Sequence, residues 1–458
     1  MDLSIENVER CMKYNNSEER DVLKQYFTYP SSIDRRKKTF VFSTPSETGT
    51  SFFRIFEPMR VMWKHLKDEA NFVYTENLQP NHLKLADAII MHRAGNLHSH
   101  FVSVSQRWPQ TEQKPLIVHD VDDNEFNLPK THPMRELWYA SGKDKMSIQT
   151  IKHSEFVCTT TEKLHKTFKF LNNEVYVIRN MFDWDLPQWN LDKEVTRKEM
   201  LEDWYPTDDK VIIGWAGLTS HYEDIKRMHG VIKKIHDKHP NTYFVLAGMA
   251  LKDSSIEIQY DEDNKPMFKE KEIEDESMLY KNRVKSLYSD IDSDRLKIFD
   301  ALPLEMYGKF YSLFDISLAY IEHNAFNSCK SEIKTVESLH YNCIPVFSLY
   351  GGYKDFWDAV PREIRQKNMA IVSMMPKQWI DSVSHWVDVL SKGIENGVKP
   401  IDTAIEVTNE ITKFSDERYD LNDDAENRLM FLLEKTEEFQ EREINRIARD
   451  FGDLKQVM

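Results

Sequence analysis

Short apolar runs recur along the chain and alternate with stretches in which apolar residues return every three or four positions. In the first half, KTFVFS (38–43), the run within ANFVYTE, ADAIIM (86–91), PLIVHD (115–120), EFVCTT (155–160) and VYVIRN (175–180) predict strands. Between them lie helical patterns such as SFFRIFEPMRVMWKHLKDE. The pattern then restarts with KVIIGWAG (210–217), TYFVLAG (242–248), RLKIFD (295–300), FDISLAY (314–320), CIPVFS (343–348) and MAIVS (369–373). Strands that are apolar throughout, alternating with helices, predict parallel sheets covered on both faces.

Two such sets predict an α/β protein of two doubly wound Rossmann-like domains facing a cleft at the carboxyl ends of their strands. The expected bounds are 1–185 for the first domain and 210–400 for the second, with an interdomain connection over 186–209. The connection carries two prolines in its DWDLPQWNLDKEVTRKEMLEDWYPTDD context and many charges. Residues 401–458 predict helices packing back toward the first domain, and Leu429, Leu432, Phe439, Ile444 and Ile447 give the last one an apolar stripe. Residues 251–294 are charged and poorly periodic, which predicts a surface insertion.

Composition narrows the class. The 458 residues carry 61 Lys and Arg against 76 Asp and Glu, a net charge of −15, which argues against a protein that simply coats nucleic acid. No apolar run approaches the roughly 20 residues of a membrane span, and the N-terminus lacks a signal-peptide centre, so a cytoplasmic protein without a membrane partner is expected. Cys11, Cys158, Cys329 and Cys343 form no C-x-x-C pair, so neither a zinc site nor a disulfide framework is predicted. Cys158 and Cys343 fall in apolar runs and predict core thiols.

The stretch NSCKSEIKTVESLHYNCIPV (327–346) carries the most pointed chemistry. Lys330, Lys334 and Glu337 share a helix face, and Asn327 or Ser328 is placed to cap that helix. A helix N-terminus beside two lysines suits two phosphates, and a carboxylate deeper in the helix suits a pair of sugar hydroxyls. The competing reading is a solvated helix face with ordinary charge spacing.

These residues sit in a wider likeness. IIGWAGLTSHYEDI (212–225), FDALPLEMYGKFYSLFDISLAYI (299–321), NSCKSEIKTVESLHYNCIPVFSLYGGYKDF (327–356) and TTTEKLHKTFKFLNNEVYVIRNMFD (159–183) occur in this order. Together they resemble the GT-B glycosyltransferases of the retaining, glycogen-synthase-like and sucrose-synthase-like group. The resemblance covers most of residues 38–375. It implies that Glu337 bonds the ribose of a donor nucleotide. It implies that Lys330 and Ser331, with Asn327 before them and Lys334 a turn on, meet the diphosphate and the transferred sugar. Gly217, Thr219 and His221 match the glycine turn beside the phosphates, and Pro303, Met306 and Tyr307 are candidates to line the base pocket. The family often carries E-x7-E here, but the position eight before Glu337 is Cys329, so the sugar-holding carboxylate is replaced.

On the acceptor side, STPSETGTSFFRIFEPM (43–59) corresponds to a glycine-rich loop of which Gly49 alone is a glycine. Arg54 is a candidate polar cleft contact and Pro58 a helix feature; a plain turn before a helix is the alternative. MHRAGN (91–96) puts His92 and Arg93 after a strand, where either would touch the acceptor or the transferring sugar. HDVDDNEFNLP (119–129) clusters Asp120, Asp122 and Asp123. Four readings remain open for it: a divalent-metal D-x-D, a phosphatase D-x-D, orientation of an acceptor hydroxyl or basic group, or loop capping.

The resemblance implies retaining transfer from a nucleoside-diphosphate sugar, a UDP-sugar in particular, with Lys330, His92 and Arg93 as catalytic candidates and no cofactor or metal required. The style of the chain and its DVDDNEFNLP block are similar to transferases of large bacteriophages, some of which glycosylate hydroxymethylated pyrimidines in DNA. That likeness implies duplex DNA as acceptor in an infected cell. Arg35, Arg36, Lys37 and Lys38 would then meet a phosphate backbone, or form an exposed charge run. Polysaccharide or protein acceptors, a non-catalytic nucleotide-binding protein and a phosphatase using Asp120 and Asp122 are the competing classes.

Overall fold

A computed structural model describes residues 2–28, 33–45, 48–93, 96–108, 113–249, 254–260, 266–272, 279–368, 372–373 and 375–457. The chain divides into two units. The first comprises Met1–Asp123, Gly142–Trp184 and Asp420–Met458; the second comprises Asn124–Ser141 and Asp185–Tyr419.

The first unit is built on β1 (Lys38–Ser43), β2 (Ala70–Thr75), β3 (Ala88–His92), β4 (Leu116–Val121), β5 (Phe156–Thr159) and β6 (Val175–Val177). These form one sheet in the order β2-β1-β3-β4-β5-β6, with every pairing parallel. Alternate residues serve opposite faces. Val41, Ile89, Met91 and Ile117 pack on one side with Leu83, Phe101 and Val102. Phe42, Ile90 and Val118 line the other with Met62, Phe431 and Leu432. Both faces are buried, which is why the strands read as unbroken apolar runs. The chain leaves this unit beside the point where it returns: Phe182 and Asp420 pair in a parallel bridge, and Leu421 N donates to Phe182 O at 2.8 Å.

The second unit holds β7 (Val211–Ala216), β8 (Thr242–Met249), β9 (Ser254–Tyr260), β10 (Pro266–Glu272), β11 (Leu296–Asp300), β12 (Ile316–Ala319), β13 (Ile344–Ser348) and β14 (Val372–Ser373). Six of them form a parallel sheet in the order β11-β8-β7-β12-β13-β14. Residues 369–371 of the expected last strand lie outside the described residues. Stretch 185–209 joins this unit through buried charges. Lys193 Nζ donates to Phe314 O and Tyr341 O at 2.8 and 2.9 Å, and Arg197 pairs with Asp315 at 2.7 Å.

Two local expectations change, and the span 251–294, expected as a surface insertion, holds structure of its own: β9 and β10 make an antiparallel ribbon, followed by a helix over Tyr280–Leu287. Its charges interleave with a few apolar positions, which hides the period of two; residues 251–253, 261–265 and 273–278 lie outside the described residues. The last helix, Leu421–Val457, buries Leu429, Leu432 and Phe439 but leaves Ile444 57% exposed, so its stripe ends earlier than the sequence pattern does. The helix expected to start at Asn327 or Ser328 starts at Ile333. Asn327–Cys329 is a 3-10 turn, and Lys330 is extended (φ −68°, ψ 144°).

In both sheets the strand order reverses once, between β1 and β3 in the first unit and between β7 and β12 in the second. Ligands of open α/β sheets bind outside the carboxyl ends of the strands at such reversals, because the crossovers on either side diverge and leave a crevice. Both groups of candidate residues lie at these two positions.

Candidate functional site

In the second unit, β7 ends at Ala216 and the chain turns at Gly217 into a 3-10 turn, Thr219–His221, and a long helix, Tyr222–Lys238. Gly217 is required by its neighbours. A Cβ there would lie 2.6 Å from the Trp215 ring and 2.8 Å from Lys334 Nζ. His221 Nδ1 and Asp224 Oδ2 are 2.7 Å apart, and Asp224 Oδ1 accepts from Glu322 N at 2.8 Å. Burial, helped by the nearby Lys334 charge, pushes His221 down to about 4 despite its bond to Asp224, so the ring is neutral at physiological pH.

The helix Ile333–His340 follows β12 and carries Lys334 and Glu337, both buried. Lys334 Nζ lies 4.8 Å from the centre of the Trp215 ring and has no hydrogen-bond partner among the described residues. Burial lowers its pKa to about 8; Asp224 and Glu337 favour its charge, while Lys330 opposes it. Burial raises Glu337 to about 8 against the pull of the Tyr311 hydroxyl and Lys334. Tyr307 and Tyr311 are pushed above the usual phenol range by burial and then by Glu337. A buried ammonium without a hydrogen bond is costly, and a group of this kind calls for a structural or functional reason.

The segment before the helix is shaped by its own bonds. Ser328 Oγ donates to Ala325 O at 2.8 Å and Asn327 Nδ2 to Glu322 O at 2.9 Å, so neither side chain caps the helix. Gly352 N donates to Lys330 O at 3.1 Å, which holds residue 330 extended. Lys330 Nζ therefore leaves the stripe expected with Lys334 and Glu337 and sits 4.6 Å from the centre of the Phe326 ring. Cys329, at the position of the expected carboxylate, is fully buried, with Asn124 Nδ2 3.5 Å from its sulfur.

Sequence reasoning missed the glycine pair after β13. Gly351 has φ +57°, and a Cβ there would lie 2.9 Å from Ser328 O. A Cβ on Gly352 would lie 2.6 Å from Lys330 O. The doublet in SLYGGYKDF was the available signal. Tyr311 and Tyr353 also escaped notice; nothing in their spacing distinguishes them from core aromatics. Pro303 is exposed and precedes the turn Leu304–Met306, whereas Tyr307 reaches the electrostatic field of Glu337.

In the first unit a short π-helical turn, Phe52–Phe56, follows the loop after β1 and aims Arg54 inward. Ser46 and Glu47 of that loop lie outside the described residues, and Gly49 opens the helical turn capped by Thr48. Arg54 Nε donates to Asp120 Oδ1 at 2.9 Å and Nη2 to Asp120 Oδ2 at 2.5 Å. The same guanidinium reaches Ile178 O and Asn180 Oδ1. Arg54 is therefore an interior clamp with 4% exposure. Pro58 occupies the first turn of the helix Glu57–Leu66.

His92, at the end of β3, places Nδ1 2.9 Å from Asp120 Oδ1. Arg93, the next residue, adopts φ +59° and pairs with Asp122 at 3.1 Å and Asp123 at 3.3 Å. A left-handed arginine costs of order 1–3 kcal/mol, and such strain clusters at functional sites. The three aspartates are thus engaged by Arg54, His92 and Arg93. Among the described residues no group of three or more His, Cys, Asp or Glu side chains is placed to hold a metal ion. No described helix is long and apolar enough to cross a membrane.

No protein-family model and no curated protein sequence matches the chain. Solved structures do. A glycosyltransferase from Rickettsia africae aligns with a TM-score of 0.55 at 14% identity, over 88% of this chain and 98% of that one. Anabaena HepE aligns in its complex with UDP and glucose (TM-score 0.52, 11% identity, 87% of this chain and 99% of that one). It also aligns in its complex with UDP-glucose (TM-score 0.50, 12% identity, 86% and 99%). The fold is the α/β architecture of two Rossmann-like units that defines the GT-B class.

Proposed function

We propose that the chain is a glycosyltransferase that takes a sugar from a nucleoside-diphosphate sugar, a UDP-sugar in particular, and passes it to a hydroxyl acceptor. The observation that carries this reading is Lys334: a buried ammonium with no hydrogen-bond partner among the described residues, set against the glycine turn at the strand reversal, one helical turn from Glu337. A diphosphate beside Gly217 and the first turn of helix Ile333–His340 would complete that ammonium, with Lys330 as a second cation. Glu337 then accepts from the ribose hydroxyls, and Pro303, Met306 and Tyr307 flank the base. Anabaena HepE, of the same fold, holds UDP-glucose, which supports a uridine donor.

The two lysines and the helix terminus stabilise negative charge as it grows on the leaving diphosphate. Transfer with retention is what the likeness to the retaining group supports. No metal or cofactor has a role in this scheme. Cys329 in place of a carboxylate means that the sugar is held by other groups, with Ser331 and Asn327 the nearest candidates.

For the acceptor we propose a hydroxymethylated pyrimidine of duplex DNA. The motive is the basic run at the start of β1, in which Arg35 and Arg36 are exposed and Arg36 is paired with Asp34 at 2.8 Å. Lys37 and Lys38 are already engaged with Lys67 O and with Gln440 and Asp87. Polysaccharide and protein hydroxyls are the rival acceptors, and nucleotide binding without transfer is the rival function. The experiment is direct binding of UDP and UDP-sugars to the wild type and to Lys330→Ala and Glu337→Ala. Weakened binding in both supports the site, and unchanged binding and turnover in both contradicts it.

A further inference from the structure

The first unit contains a largely buried chain of ionisable side chains whose members come from three separate segments: Arg54, Asp120, His92, Asp122 and Arg93, with Asp123 at its end. Its chemistry fixes more than its geometry. Asp120 is fully enclosed, and burial alone would raise its pKa, but Arg54 and His92 together hold it below the usual carboxylate range. An ionised carboxylate only accepts hydrogen bonds. The 2.9 Å contact to His92 must therefore be donated by Nδ1–H. In a neutral imidazole that leaves Nε2 as a lone-pair acceptor.

Nε2 is buried and has no hydrogen-bond partner among the described residues. The nearest charged group to it is Asp122 Oδ1 at 3.6 Å, beyond a hydrogen bond and itself an acceptor. Asp122 is instead drawn to Arg93 Nε at 3.1 Å. The other titratable neighbours add no positive charge. His98 Nδ1 is committed to Arg93 O, and burial lowers its pKa to about 4. His119 is likewise neutral, pushed down to about 3 by burial, and the Cys158 thiol is pushed well up by burial. Nε2 and Asp122 Oδ1 thus face each other at 3.6 Å with no hydrogen bond between them, at the carboxyl end of β3 beside the strand reversal.

We propose that Arg54 and Asp120 are positioning residues that lock His92 as the Nδ1–H tautomer, so that Nε2, with Asp122, receives a neutral hydroxyl of the acceptor. The inference rests on the glycosyl-transfer reading and deepens it by defining the class of group bound here. A hydroxyl has one proton to donate and no charge. A phosphate or carboxylate would meet Asp120, Asp122 and Asp123 and be repelled. Any phosphate of the acceptor must then lie away from this cluster.

The test uses full-length protein labelled with nitrogen-15 histidine, the His92 signals being assigned by their loss in His92→Gln. Near neutral pH the expected spectrum shows His92 protonated on Nδ1 and bare on Nε2. An imidazolium, or an Nε2–H tautomer, overturns the proposal, since a charged ring would merely bridge Asp120 and Asp122. Arg54→Lys, which keeps a cation beside Asp120, should weaken the lock and introduce a second tautomer; Asp120→Asn should do so more strongly where it folds. In turnover, UDP release from UDP-glucose should fall about tenfold or more in His92→Gln and Arg54→Lys. The affinity for UDP, held by the second unit, should stay within about twofold, a selectivity that a merely structural defect does not give. Wild-type turnover in both variants overturns the proposal. Failure of the wild type to bind UDP contradicts the donor reading separately, and the tautomer measurement still decides the His92 claim.

Discussion

Lys334 Nζ and Gly217 are so close that a Cβ on the glycine would lie 2.8 Å from the ammonium nitrogen. Glycine there keeps open the approach to a charge that, in the protein alone, has no hydrogen-bond partner among the described residues. Such an arrangement sacrifices stability for binding, and the sacrifice is measurable.

Lys334→Met replaces the buried ammonium with an apolar chain of similar length. Without ligand this variant should be more stable than the wild type by about 1–3 kcal/mol, the cost of an unsatisfied buried polar group. Its affinity for UDP should fall by about tenfold or more, the loss of a charge-assisted bond. Thermal melts with and without UDP give both quantities. A destabilised variant that still binds UDP would remove Lys334 from the site.

The pKa of about 8 for Lys334 sets a pH dependence. Its folded value is depressed, so the charged form is lost as pH rises through about 8 in the free protein. A bound diphosphate favours the charged form, so binding takes up a proton above that pH. UDP affinity should therefore weaken from about pH 8 upward, toward the ordinary lysine value of 10.5. Calorimetry in buffers of different ionisation enthalpy would register the proton. Affinity independent of pH across this window would contradict the contact.

Glu337 makes a separate prediction about ribose. Wild-type protein should prefer UDP to 2′-deoxy-UDP by about 1–2 kcal/mol, one hydrogen bond to a charged or buried group. Glu337→Ala should bind both weakly and equally. If the wild type shows no preference, Glu337 does not read the sugar of the nucleotide.

The glycine doublet offers a test remote from the charges. Gly351→Ala places a side chain at φ +57° and 2.9 Å from Ser328 O. The expected cost is about 1–3 kcal/mol of strain. Because the pressure falls on residues 327–332, UDP affinity should fall with it, and the loss should exceed that in an equally destabilised core variant.

Much of this arrangement was legible in the sequence where the physics is local. Strands buried on both faces read as apolar runs, and the helix bearing Lys334 and Glu337 announced itself through spacing. The start of that helix did not. Asn327 and Ser328 are good capping residues, but their side chains bind Glu322 O and Ala325 O. The donor holding Lys330 extended is Gly352, far along the chain. The Arg54–Asp120–His92 chain was visible only as separate residues, since its members lie 66 and 28 positions apart and only the order of β1, β3 and β4 brings them together.

In the proposed function the second unit grips a nucleoside-diphosphate sugar and the protein transfers the sugar. The direct measurement is release of nucleoside diphosphate from a panel of nucleotide sugars, with hydroxymethylated duplex DNA, polysaccharide, protein or no acceptor. One donor, a UDP-sugar, should yield UDP at a rate that a hydroxyl acceptor raises and Glu337→Ala abolishes. Binding of a nucleotide without release under any condition would contradict transfer, and absence of nucleotide binding would contradict the site itself.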